Sequence, residues 1–297
     1  MIGEFAQNAD MRSILKSLLL ITAVALVAAV WMQQRAQRDL RAVVTELRPH
    51  ALLRYQRLLA WPPGEWRLED VTVEPVGEWR ERLAMPVGAR IAIARLQLRP
   101  PASDQEQHWQ LTADDVLWPV PAGMPGAEVL ASAGHTLLRG SLHADAVWTP
   151  AQDTFTVDLQ AAIANAGQLD AGLSIIAGAA FPAPVHTGTT LRGAHLHWQD
   201  HGLLGSLKST LALREQLPVR RWEQQQMQAL ERRAAAGDWR WSADDRDALR
   251  SIIRDPARLR LQLAPPSPVR LDDLSLYTPG DYWALLGVQL DAGADQP

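Results

Sequence analysis

Residues 66 to 98 alternate in a way that reads as β-sheet. In WRLEDVTVEP (66–75) apolar side chains stand at 66, 68, 71 and 73, and in IAIARLQLRP (91–100) at 91, 93, 96 and 98. A period of two puts one face of a strand in apolar surroundings. Each segment skips one step midway. The skip flips the phase, so a bulge or bend is expected at Glu69-Asp70 and at Ala94-Arg95. The two segments match position for position at a spacing of 25 residues (91 − 66). A third stretch, VRLDDLSL (269–276), matches WRLEDVTV and places the same skip at Asp272-Asp273. Such self-similarity is the mark of an internal repeat.

More strands are expected in HWQLTADDVLWPVP (108–121), LLRGSLHADAVWTP (137–150), TFTVDLQAAIA (154–164), LDAGLSIIAGAA (169–180) and RLRLQLAPP (258–266). Asn165-Ala166-Gly167 reads as the turn between two of them. Helix is expected as a hairpin inserted at about 218–256. VRRWEQQQMQALERRAAAG (219–237) runs on good helix formers and closes at Gly237. SADDRDALRSIIRDP (242–256) opens with Ser242 and Asp245 in capping-box spacing and stops before Pro256.

The pattern changes before residue 61. Ile14 to Met32 is 19 residues with one charge, Lys16. About 20 apolar residues span a bilayer core, so the stretch reads as a signal anchor, with Lys16 and Trp31 at its boundaries. A cleaved leader is the rival reading, but cutting after Ala23-Val24-Ala25 would leave a very apolar new terminus. Met11 reads as an internal start, with the first ten residues as an extension. Arg12 and Lys16 precede the span and Arg35, Arg38 and Arg41 follow it, so the positive-inside count does not decide orientation. The short leading tail favours a cytoplasmic N-terminus. Leu40, Val43, Val44 and Leu47 then share one helical face. Pro49 breaks or kinks that helix, and Leu52, Leu53, Leu58 and Leu59 continue an apolar face. The expected organisation is a tail (1–10), an anchor (11–32), an amphipathic stalk helix (33–60), a β-rich body (61–290) carrying the helical insertion, and a flexible tail (291–297). The stalk helix packs on the body or membrane, or takes a partner.

Composition narrows the function. Lys plus Arg is 29 and Asp plus Glu 33, a net charge of −4. That leaves no basic footprint for nucleic acid. The chain has no cysteine, which excludes disulfides, thiol chemistry and cysteine-based zinc sites. Twelve tryptophans against three Phe and three Tyr suit amphipathic surfaces.

Chemical motifs fall short on inspection. HLHWQDHG (195–202) resembles a metallo-β-lactamase-type His-x-His-x-Asp-His set, one residue out of step. Ala194, Leu196 and Trp198 share one strand face and His195 and His197 the other, so both histidines are expected in solvent, with Asp200-His201-Gly202 as a turn. No histidine follows His201 to complete a metal shell. Gly202, Lys208 and Ser209 fit a P-loop, but Leu207 stands where its second Gly is required, and the segment also reads as a strand. The acid pairs Asp114-Asp115, Asp244-Asp245 and Asp272-Asp273 sit at phase slips or a helix start, and neighbours on a strand face opposite ways.

An anchor, repeated L-x-D/E-V/L-x-V strands ending in Pro, and LHWQDHGLLGSLKSTLAL with its D-x-G-L step at Asp200 to Leu203 together resemble the AsmA-like family of Gram-negative envelope proteins. The small, anchored, β-rich N proteins of secretion systems are similar in layout. The resemblance covers roughly 11–40 and 64–290. It implies a mainly β fold: an N-terminal transmembrane helix, then an antiparallel, twisted, open sheet forming a groove. It further implies a non-enzymatic protein of the bacterial inner membrane, single-pass with its C-terminal domain in the periplasm. Such a protein handles lipid acyl chains or assists envelope biogenesis, and takes no cofactor or metal. On this reading the lipid-facing residues are Trp66, Leu68, Val71, Val73, Ile91, Ile93, Leu96, Leu98, Trp109, Trp118, Trp148 and Trp198. Membrane lipid is the expected partner, together with envelope proteins bound through anchor and stalk. The rivals are a scaffold subunit of an envelope or secretion complex and a metal-dependent hydrolase at His195 and His197.

Overall fold

The computed structural model describes residues 31, 33–61, 64–99, 101, 107–124, 126–176, 188–236, 241–254 and 257–292. The tail 1–10 and the expected span 14–32, Trp31 apart, lie outside the described residues. Among the described residues no helix is long and apolar enough to cross a membrane.

Twelve described strands form one antiparallel sheet. They are β1 (Ala51–Arg54), β2 (Arg57–Trp61), β3 (Glu65–Pro75), β4 (Ile91–Arg99), β5 (Gln107–Pro119), β6 (Leu137–Thr149), β7 (Thr154–Ile163), β8 (Gly167–Ile176), β9 (Thr190–Asp200), β10 (Arg258–Leu263), β11 (Val269–Arg270) and β12 (Val288–Asp291). Nearly every strand pairs with its neighbour in sequence. β1 and β2 form one interrupted edge strand along β3, and β10 and β11 both lie along β9, with β12 outermost on β10. The two edges do not meet, so the sheet is twisted and open. The helices are α1 (33–47), α2 (Gly77–Arg82), α3 (Ala127–Ser132), α4 (Leu203–Arg214), α5 (Val219–Ala236), α6 (Ala243–Arg254) and α7 (Pro279–Leu285).

The register explains the alternating sequence. Leu58, Leu68, Leu96, Ala113, Leu142, Ala161, Leu169, Trp198 and Leu259 are successive cross-strand partners, an apolar row running from β2 to β10. The next row is Arg67, Gln97, Thr112, His143, Gln160, Asp170, His197, Arg260 and Asp291. Adjacent rows point to opposite faces. The sheet therefore has one apolar and one polar face along nearly its whole width.

The skipped steps line up as a crease. Asp70 of β3, Ala94 of β4 and Asp115 of β5 are left out of the pairing opposite one another. All three strands change phase together there, so their apolar sets stay on one face. β6 alternates without a skip, and the mismatch ends in a bulge between Ala113 and Val116. Asp70 and Asp115 adopt left-handed backbone, with φ of 50° and 53°. Asp tolerates this region better than most side chains.

Three expectations need correction. The stalk helix ends at residue 47, and residues 51–61 are strand. Pro49 stops the helix, and β3 offers both halves of the following segment a partner. LLGSLKSTLALR is helix α4, so the insertion is three helices over 203–254 rather than a hairpin over 218–256. VRLDDLSL pairs only through Val269 and Arg270, and Asp272–Leu276 is a 3-10 turn. Beyond that pairing the Leu271 N–H still donates to the Thr189 carbonyl (2.9 Å) and Asp272 Oδ2 accepts from the Gly188 N–H (2.7 Å), but the chain turns out of the strand, and the likeness to β3 is local.

Helix α1 covers part of the apolar face. Ala36 and Leu40 are 2% and 1% exposed, packed with Leu58, Trp66, Leu68, Val71, Leu96 and Ala113. Burying a side chain such as Leu40 contributes about 1.5–3 kcal/mol. The same helix closes an edge. The Gln33 side chain donates from Nε2 to the Leu58 carbonyl (2.6 Å) and accepts at Oε1 from the Ala60 N–H (2.9 Å). One amide thus takes the place of a further strand on β2.

The opposite edge is held by Asp245, 4% exposed at the start of α6. Its Oδ1 accepts from the Leu290 N–H of β12 (3.1 Å). Its Oδ2 accepts from Ser242 Oγ (2.6 Å), the Ser242 N–H (3.0 Å) and Trp283 Nε1 of α7 (2.9 Å). The expected capping box is therefore present and also ties α6, α7 and β12 together. Burial pushes the Asp245 carboxyl upward, but these bonds outweigh it and hold it below the usual carboxylate range.

Two outcomes follow for stability. Asp70→Val, forced into left-handed backbone, is expected to cost about 1–2 kcal/mol, whereas Asp70→Gly is neutral or stabilising. Urea midpoints compare them, and equal midpoints would remove the left-handed requirement from the crease. Asp245→Asn is expected to cost about 2–4 kcal/mol at neutral pH, because several donors lose a charged acceptor. A carboxyl depressed in the folded state stabilises above its unfolded value of about 3.9 and loses that effect as pH falls through the lower folded value. The gap between wild type and Asp245→Asn should therefore hold from about pH 7 to 5 and narrow below about pH 4.

Candidate functional site

The two faces offer different chemistry. The expected lipid-facing residues share the apolar face but meet different surroundings. Trp66, Leu68, Val71 and Leu96 are buried beneath α1, and Val73, Ile93 and Leu98 pack against that core. Ile91, the cross-strand partner of Val73, is half-buried. Those eight are engaged with the protein itself. Trp148 is buried too. Trp109 and Trp198 are half-buried, and Trp118 is 39% exposed.

The face continues past α1 onto strands whose residues the tryptophan pattern overlooks. Ala144, Leu159, Ala171, Leu196, Leu261 and Leu290 form a second apolar row, all of them half-buried. In the row beyond, Leu173 is 41% exposed. The signal was present as period-two alternation in β7 to β10, but alternation alone does not tell a covered strand face from a bare one.

On the polar face, His195 and His197 lie as expected away from the apolar core. His195 is about half exposed (49%), and its Nε2 stands 3.7 Å from Asp170 Oδ1. A Cβ on Gly172 would lie 2.7 Å from both His195 Nδ1 and Asp158 Oδ1, so glycine here makes room for the imidazole over the strand. Among the described residues no group of three or more His, Asp or Glu is arranged to hold a metal ion. Asp200, part of the suspected motif, has another role. It accepts from Trp198 Nε1 (3.2 Å), the Gly202 N–H (2.8 Å) and the Leu204 N–H (2.9 Å). Its carboxylate thus caps α4, and Gly202 supplies the left-handed turn at φ 115°. HLHWQDHG is a strand end and a helix start.

In the same cross-strand row, on β5 and β6, lies a cluster that sequence reading missed. Asp145 accepts from Gln110 Nε2 (2.9 Å) and sits between two imidazoles, His108 Nε2 at 3.0 Å and His143 Nε2 at 2.7 Å. Burial raises the Asp145 carboxyl, but the bonds from Gln110, His108 and His143 outweigh it and hold it low. His143 Nδ1 meets Thr112 Oγ1 at 3.0 Å. Thr112, His143 and Asp145 thus connect like a nucleophile, base and orienting acid. The supporting parts are missing. Thr112 lies mid-strand, where the neighbouring backbone N–H groups belong to the ladders with β4 and β6, leaving no donor pair for an oxyanion. Only register brings these residues together, since they come from positions 31 apart in sequence.

No protein-family model matches the chain, and a comparison with curated proteins finds no match.

Asp200→Ala is expected to destabilise by about 1–2 kcal/mol, the usual loss for a helix cap. Loss of the Trp198 bond should also shift the tryptophan emission. Thermal denaturation and fluorescence check both, and an unchanged melting temperature would remove the capping role.

Proposed function

We propose that this protein is an AsmA-like module that shelters lipid acyl chains on the apolar face of its open sheet. One observation carries the reading: the apolar face extends beyond the part covered by α1, and its rows on β6 to β10 remain partly exposed. The mechanism is passive. Acyl chains leave water against Leu159, Leu173 and Leu196, gaining about 0.8 kcal/mol per buried CH₂, while headgroups stay wet at the rim. No catalytic residue is required. The apolar 14–32 segment, as a single-pass anchor, holds the body at a bacterial inner membrane with the sheet on the periplasmic side. Residues 33–47 then form a lid clamped to the sheet rather than a free stalk.

A scaffold role through strand addition has less support. Gln33 and Asp245 occupy backbone groups on the outermost strands that a partner strand would need.

The test is mass spectrometry of lipid co-purifying with residues 31–297, secreted to the periplasm of a bacterial host. This fragment keeps α1; a body cut at residue 61 would strip the cover from Leu68 and Val71. Near-stoichiometric phospholipid is expected, falling at least about fivefold in Leu159→Glu/Leu196→Glu, which places two charges on the apolar face. A folded, lipid-free fragment would sink the proposal.

A further inference from the structure

The polar face carries a depression of about 440 Å³ over β6 to β9. Its polar lining is Ser141, Gln160, Gln168, Asp170, His197 and Gln199, and cross-strand pairing sets these out in two adjacent rows. Ser141 and Ala162 face each other there, and their small side chains leave the space open. Elsewhere on this face long polar side chains pair with one another, as in Arg95 with Asp114 (3.4 Å), Arg67 with Glu69 (3.6 Å) and the Asp145 cluster. In the depression, Gln160, Gln168, His197 and Gln199 have no side-chain partner among the described residues. Three carboxamides and an imidazole therefore face a common space with their hydrogen-bonding capacity free, beside the Ser141 hydroxyl and the Asp170 carboxylate, whose Oδ1 stands 3.7 Å from His195 Nε2.

The lining selects the class of ligand by elimination. Among the described residues the lining holds no Lys or Arg, Arg258 and Arg260 standing one strand away on β10 beside Gln199 and His197, and Asp170 is negative, so a phosphate or other anion is disfavoured. Ala161 and Leu169 belong to the apolar row and line the depression from mid-strand, so there is no apolar wall for an acyl chain. The strand backbone here is engaged in ladders on both sides, so an extended peptide cannot add to it. What remains is a neutral molecule rich in hydroxyls, which planar amides and a carboxylate bind in pairs. Strands are spaced about 4.8 Å apart, roughly one hexose ring, so a linear glycan lying across β7, β8 and β9 would offer about one sugar to each strand. We propose that this depression is a carbohydrate-binding site for a neutral linear oligosaccharide. It lies on the face opposite the acyl-chain surface and stands or falls independently of it.

The test uses the full chain in a detergent without a sugar headgroup. Cellotetraose, maltotetraose and chitotetraose are each titrated by calorimetry, with saturation-transfer NMR to locate the contact. At least one is expected to bind. Asp170→Ala and Gln168→Ala should each weaken that binding at least about tenfold. Both side chains are on the solvent side of the sheet, so both variants should keep the wild-type melting curve, which is measured alongside. Leu173→Ser, on the opposite face, should leave binding unchanged. Absence of binding by all three sugars up to about 10 mM overturns the proposal. So does binding that survives both Asp170→Ala and Gln168→Ala.

Discussion

A broad sheet with one apolar face and two unjoined edges faces a problem that its strands alone cannot solve. The apolar face needs cover, and the edge backbone needs partners. Helix α1 answers both needs near the N-terminal edge, through Leu40 on the face and Gln33 on the backbone of β2. At the other edge Asp245 closes a single amide of β12 while holding α6 and α7 in place. These contacts make the helices part of the sheet's construction. They also leave the middle of the apolar face partly bare, which is why a role in sheltering apolar chains is attractive.

The crease shows how a local irregularity preserves a global property. Three neighbouring strands skip a step at Asp70, Ala94 and Asp115, and they do so in register. Had one strand skipped alone, every side chain beyond it would have changed face. The shared slip keeps Val71, Ile93 and Val116 on the same side as Leu68, Leu96 and Ala113. The bulge opposite β6 absorbs the difference where the skipping stops.

The polar face illustrates how misleading a short motif can be. His195, His197 and Asp200 look like ligands when read along the chain. In the fold Asp200 turns to cap α4, and His195 stands beside Asp170 of β8 and near Asp158 of β7. The richer polar clusters, around Asp145 and in the depression over β8, have no motif because their members lie on different strands.

Alternation along the chain determined which segments are strands and which side chains are apolar-facing, because side-chain direction in a strand depends only on local geometry. It also located the phase slips in β3 and β4, and residue spacing located the capping box at Ser242. Local pattern failed where a segment's state depends on a partner. Residues 51–61 are strand with β3 beside them, 203–214 are helix behind the Asp200 cap, and 272–276 leave the sheet as a 3-10 turn. Tertiary structure alone decided which apolar residues are covered. Trp66 and Leu196 read alike in sequence, but α1 reaches one and not the other. Burial and juxtaposition are set by cross-strand register and helix docking, which join residues far apart in the chain, and no local period encodes them.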